Sequence, residues 1–261
     1  MEPNPLHASH AFYRRALQLL TDSGIPFLIG GAYALQRYAG IERYTRDLDV
    51  FVEPASCRPV LDRMAEAGFD TELTFPHWLG KVHSGDDYVD VIFSSGNAVA
   101  TVDAAWFEHS VPERVLDLPV RLCPAEEMIW SKSFIMERER FDGADINHII
   151  RARGKDLDWR RLLDRFAAHR HVLLAHLILF EYVYPAECEQ VPDWVMEELL
   201  AAVKRNGSAA AAGNRVCRGT LLSRSQYLSD LDCGYDDPRC TPLGPMTPEQ
   251  IRRWTDAAEK T

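Results

Sequence analysis

Asp47 and Asp49 are the residues most able to do chemistry. They lie two apart in Arg43-Tyr44-Thr45-Arg46-Asp47-Leu48-Asp49-Val50-Phe51. Read as a strand, this segment points both carboxylates to one face. At about 3.3 Å rise per residue their Cα atoms stand roughly 6.6 Å apart. Two like charges that close repel each other and lose hydration. A divalent cation relieves the cost, because hard cations take carboxylate oxygens as ligands. Arg43 and Thr45 share the parity, which makes Arg43, Thr45, Asp47 and Asp49 one polar row. Leu48 and Val50 point the other way, into a core.

Upstream stands Phe27-Leu28-Ile29-Gly30-Gly31-Ala32, a short buried strand followed by a glycine pair. Glycine lets the backbone approach a ligand closely, since no Cβ intervenes. A helix over about Ala32 to Tyr38 would offer unpaired N–H groups at its start, which suit a phosphate. One short unit therefore combines a phosphate cradle with a metal-binding carboxylate pair.

These residues resemble the signature of the DNA polymerase β-like nucleotidyltransferase superfamily. That signature is an apolar residue, Gly followed by Gly or Ser, a spacer, then Asp-x-Asp on a strand. Here it stands as Ile29-Gly30-Gly31 and Asp47-Leu48-Asp49. The family's third carboxylate, between apolar residues on a later strand, is matched by Asp90 in Val89-Asp90-Val91. The Arg-x-Thr-x-Asp-Leu-Asp form is similar to the smaller bacterial branches, antibiotic-modifying and toxin-like. The resemblance spans residues 25 to 150. It implies two Mg²⁺ ions, or Mn²⁺ in their place, held by Asp47, Asp49 and Asp90, and a nucleoside triphosphate such as ATP as substrate. It also implies phosphate contacts from Gly30, Gly31, Arg43, Thr45 and Lys132, and transfer of a nucleoside monophosphate to a hydroxyl acceptor with release of pyrophosphate. Where family members carry Ser at the second glycine position, Gly31 offers only its backbone. A nucleotide-binding regulatory module without turnover, or a toxin-like enzyme acting on tRNA, are the alternatives.

The chain has 261 residues, enough for one large domain or two small ones. It is 46% hydrophobic and 26% charged, as ordinary globular proteins are. Its net charge of -10 argues against a broad nucleic-acid surface and favours a small-molecule acceptor over tRNA or protein. Six cysteines stand scattered with no Cys-x-x-Cys pair, so zinc has little support. Reduced thiols, no signal-peptide pattern and no membrane-spanning run together suggest a cytoplasmic protein.

The expected fold is α+β: a mixed sheet with flanking helices, then a mostly helical C-terminal region. The periodicity predicts a helix over residues 8 to 22 with Phe12, Ala16, Leu19 and Leu20 on its buried side. It predicts strands over 27–29 and 45–53, a helix from Pro54 stopped near Gly68, and a strand over 69–75. A hairpin over 78–83 and 88–94 would turn through Ser84-Gly85-Asp86-Asp87. The stretch from Val111 to Leu118 has no clear pattern, and Val120 to Cys123 reads as a short strand. Helices are expected over 125–140, 144–153, 158–168, 170–184 and 192–205. Composition shifts place domains at 1–123, 124–205 and 206–261, the last with a linker at 206–214. Its terminal helix would start at Thr247-Pro248-Glu249-Gln250, a capping-box pattern.

Arg140-Phe141-Asp142-Gly143-Ala144-Asp145 resembles a helix segment of the same family. For Asp142 and Asp145, pairing with Lys132 or Arg138 and capping the next helix are the favoured roles. The arginines between residues 151 and 171 read as a solvated face diluted by acids. His148, His169, His171 and His176 have no spacing that demands a metal.

Overall fold

The computed structural model describes residues 5–42, 45–209 and 215–257. The chain divides into two compact units, Met1–Pro124 and Ala125–Thr261. Arg43, and the second half of the expected 206–214 linker, lie outside the described residues.

The first unit is a mixed sheet with helices. In chain order it runs α1 (Pro5–Ser23), β1 (Leu28–Ile29), α2 (Gly31–Ala39), β2 (Asp47–Phe51), α3 (Pro54–Glu66), β3 (Asp70–Phe75), β4 (Leu79–Ser84), β5 (Asp87–Ile92), α4 (Ala104–Glu108), β6 (Val111–Val115) and β7 (Leu118–Leu122). The seven strands lie in the order β3-β4-β5-β2-β1-β7-β6. β2 runs parallel to β5, and β1 runs antiparallel to β2 and parallel to β7.

Strand alternation assigns the two faces. Leu48 and Val50 of β2, Val82 of β4, and Val89 and Val91 of β5 all point into one core. They meet Phe12, Ala16, Leu17 and Leu20 of α1, and Val60, Leu61 and Met64 of α3. Each such side chain contributes roughly 1.5–3 kcal/mol by leaving water. In α1, Tyr13 and Leu17 share the buried side, and Leu19 is only partly covered. The alternate residues, among them Asp47, Asp49 and Asp90, are thereby turned to the opposite face.

β6 and β7 form a hairpin across the patternless stretch, pairing Val115 with Leu118. Its two central residues are Leu116 and Asp117, both left-handed, with φ of 48° and 63°. Such turns ordinarily use Asn or Gly, so the sequence gives no turn signal here.

The second unit is helical: α5 (Ala125–Lys132), α6 (Gly143–Arg153), α7 (Trp159–Phe166), α8 (Arg170–Val183), α9 (Asp193–Ala209), α10 (Leu228–Asp232) and α11 (Pro248–Asp256). The helix expected over 125–140 stops at Lys132. Beyond it the backbone finds other partners: the Met136 N–H donates to the Leu222 carbonyl, and that of Glu137 to Arg140. The Asp142 N–H then turns back to Ile135. α9 continues to Ala209, through the first residues of the expected linker. α11 carries a full capping box, with the Gln250 N–H donating to Thr247 Oγ1 (3.2 Å) and the Thr247 N–H to Gln250 Oε1 (2.8 Å).

Candidate active site

Three carboxylates meet on the face of the sheet opposite the α1–α3 core. β2 and β5 are neighbours in parallel register, with Asp49 beside Asp90 and Asp47 beside Tyr88. One oxygen from each of Asp47, Asp49 and Asp90 lies within 4.8 Å of the other two. The two acidic segments, some forty residues apart in the chain, are thus brought together by strand pairing alone. All three are half-buried.

The glycine turn is built against this cluster. The Gly30 N–H donates to the backbone carbonyl of Asp49 (3.0 Å), which seats the start of α2 beside β2. Gly31, the first residue of α2, has φ of 53°, a left-handed conformation that favours glycine. A Cβ there would lie 1.6 Å from Asp49 Oδ2, and one at Gly30 would lie 2.3 Å from the Phe51 ring. A side chain at either position would have to push those groups aside. No side chain caps α2, so its first N–H groups are left for another acceptor.

Thr45 lies just before β2, and its hydroxyl donates to Asp47 Oδ1. The Asp47 N–H returns a long bond to the same hydroxyl at 3.4 Å. Thr45 therefore orients a member of the cluster.

A fourth residue belongs to the site that its motif does not announce. Lys81 of β4 pairs in register with Asp90. Its Nζ lies 2.6 Å from Asp90 Oδ1 and 3.7 Å from the centre of the Tyr88 ring. The signal for it was present in the hairpin: a two-residue loop between Ser84 and Asp87 fixes Lys81 opposite Asp90. Burial pushes the Asp90 carboxyl above its ordinary range, against the pull of Lys81. Burial also raises the Tyr88 phenol, and the nearby Asp47, Asp90 and Asp49 add to it.

Lys132 belongs to the second unit. Its ammonium is held there by Asp142 (2.8 Å) and Asp145 (2.9 Å), and Arg140 adds a further bond to Asp142. Asp142 and Asp145 thus have the pairing role that their spacing favours, with Lys132 as partner.

The cluster suits a hard divalent cation. It offers only oxygen ligands, close enough to share one ion, beside a helix start that accepts anions. Softer metals would call for sulfur or imidazole.

No protein-family model matches the chain, and no curated protein matches it in sequence. Solved structures do resemble it. ANT(2'')-Ia, an antibiotic-resistance factor solved with adenylyl-2''-tobramycin, is 18% identical with a TM-score of 0.45, covering 63% of this chain and 98% of that one. The lincosamide antibiotic adenylyltransferase LnuA, bound to lincomycin, is 15% identical with a TM-score of 0.39, covering 54% and 94%. JHP933 from Helicobacter pylori is 14% identical with a TM-score of 0.39, covering 79% and 99%.

Proposed function

We propose that the chain is a metal-dependent nucleotidyltransferase that moves a nucleoside monophosphate from a nucleoside triphosphate to a hydroxyl of a small-molecule acceptor. The observation that carries this reading is the meeting of Asp47, Asp49 and Asp90 within 4.8 Å, beside a glycine turn that opens a helix.

In this reading the three carboxylates hold Mg²⁺ or Mn²⁺, which when bound neutralises the triphosphate and stabilises charge at the transferring phosphoryl group. The N–H groups of Gly31 and Ala32, at the start of α2, bind the terminal phosphates. Thr45 keeps Asp47 turned toward the cluster. The acceptor hydroxyl oxygen forms a bond to the α-phosphorus, and the bond from that phosphorus to the bridging oxygen breaks. Pyrophosphate leaves with that electron pair. Asp90 takes the hydroxyl proton. Most of the rate gain comes from positioning and electrostatics. The net charge of -10 favours a small acceptor over a polyanion such as tRNA.

The test is to incubate the protein with Mg²⁺, each α-labelled nucleoside triphosphate and a pool of small hydroxylated compounds. Label moving to an acceptor with matching pyrophosphate release is expected. Asp49→Asn should abolish both while keeping the fold. Equal transfer by wild type and Asp49→Asn would refute the assignment.

A further inference from the structure

Lys81 is a charged side chain at the cluster to which the transfer chemistry above gives no task. It stands on β4, an internal strand between β3 and β5. The registers Lys81 to Asp90 and Asp90 to Asp49 run across three adjacent strands, so the three side chains form a lateral row on one face. Neighbouring strands lie about 4.8 Å apart, which puts a lysine stem within reach of its neighbour's carboxylate without strain. The ammonium is 2.6 Å from Asp90 Oδ1 and rests 3.7 Å above the Tyr88 ring. Only 20% of the Lys81 side chain and 14% of that of Asp90 are exposed. Tyr88 lies beside Asp47 in register, so the ring beneath the ammonium borders the same cluster.

From this placement we infer that Lys81 is a built-in cation of the site: it occupies the Asp90 side of the cluster, so the nucleotide-loaded protein holds a single divalent ion rather than two. The inference rests on the nucleotidyltransferase reading and sharpens it. Three carboxylates carry three negative charges, and a fixed ammonium cancels one of them. The triphosphate brings further negative charge, so ligand places rather than charge set the count: with Asp90 Oδ1 taken by the ammonium, one divalent ion is shared by Asp47, Asp49 and the second oxygen of Asp90. A second ion at Asp90 would have to break the ion pair and lift the ammonium off the ring. Both contacts are partly desolvated, where charge pairs and cation–π contacts are strongest. Lys81 is thus a positioning residue, holding Asp90 in place and setting how many ions the site accepts.

The test counts metal ions directly. Mn²⁺ is titrated by electron paramagnetic resonance into the full chain with a saturating α,β-methylene nucleoside triphosphate, which cannot be turned over. Wild type should hold a single tight Mn²⁺, Lys81→Met two, and Lys81→Arg a single one again. Circular dichroism confirms that each variant is folded, and Lys81→Arg keeps the question decidable if Lys81→Met is not. Two ions in wild type, or a second ion in Lys81→Arg, would overturn the inference while leaving the nucleotidyltransferase reading intact. A folded Lys81→Met with a single ion would do the same. Absence of nucleotide-dependent Mn²⁺ binding in wild type would instead overturn that reading, and this inference with it.

Discussion

Gly31→Ala is the substitution that most sharply separates site geometry from stability. The new Cβ would sit 1.6 Å from Asp49 Oδ2 and 2.7 Å from its Cγ, where ordinary contact begins at 3.4 Å. The carboxylate would have to retreat by roughly 1.8 Å from its place in the cluster. A misplacement of about 1 Å at a catalytic group costs on the order of 10²-fold, so transfer should fall by at least that factor. The left-handed backbone adds about 1–2 kcal/mol of strain to the fold. Gly40 supplies the control. It ends α2 at φ of 67°, and a Cβ there meets nothing within 4 Å. Gly40→Ala should therefore cost the same strain and leave the site alone. Thermal melts and Mn²⁺ affinity would be measured on both variants. Similar melting losses are expected, with Mn²⁺ affinity lost only in Gly31→Ala. If Gly31→Ala binds Mn²⁺ as tightly as Gly40→Ala does, the carboxylate does not depend on the bare glycine and the reasoning fails. Gly31→Ser, which supplies the residue that some members of the resembling family carry, should behave like Gly31→Ala, because its Cβ meets the same oxygen.

Other consequences are open to simpler measurements. Lys132→Met leaves Asp142 and Asp145 facing each other in a buried pocket and should destabilise the second unit by about 3 kcal/mol; an unchanged urea midpoint would count against a structural role. Asp237 is half-buried, which raises its pKa, but bonds from the fully buried Arg239 outweigh this and hold it below the ordinary carboxylate range. A depressed carboxyl stabilises fully above its ordinary pKa and loses that contribution as pH falls through the lowered value. Asp237→Asn should therefore be weaker at neutral pH and lose less on acidification toward about pH 3, as urea melts at the two pH values would read. Replacing Leu116-Asp117 by Asn-Gly relieves two left-handed residues and should stabilise the first unit by about 1 kcal/mol, visible as a higher melting temperature.

The parts of this molecule legible in its sequence are those with local signals. The Asp47-Leu48-Asp49 alternation assigns its own faces, and the glycine pair marks its own turn. Asp90 was legible as a third acid between valines, although only the parallel pairing of β2 with β5 brings it to the others. What stayed hidden depended on distant partners. The stop of α5 at Lys132 follows from backbone bonds to Leu222 and Arg140, which no local pattern encodes. The β6–β7 hairpin turns on a leucine and an aspartate, both left-handed, in place of the usual Asn-Gly. Lys81 carries no mark of its own, and only the hairpin register sets it opposite an acid.

β1 is only two residues long, yet it is the seam of the whole sheet. Leu28 and Ile29 join β2 on one side, and Ile29 joins β7 on the other. So few backbone bonds make a weak stitch, and the complete burial of both side chains must supply the rest of its strength. Under mechanical load the sheet would tear here, shedding the β6–β7 ribbon as one piece. The panel of β3, β4, β5 and β2 would survive that rupture with Lys81, all three acids and the glycine bend still aboard, since β1 stays paired with β2.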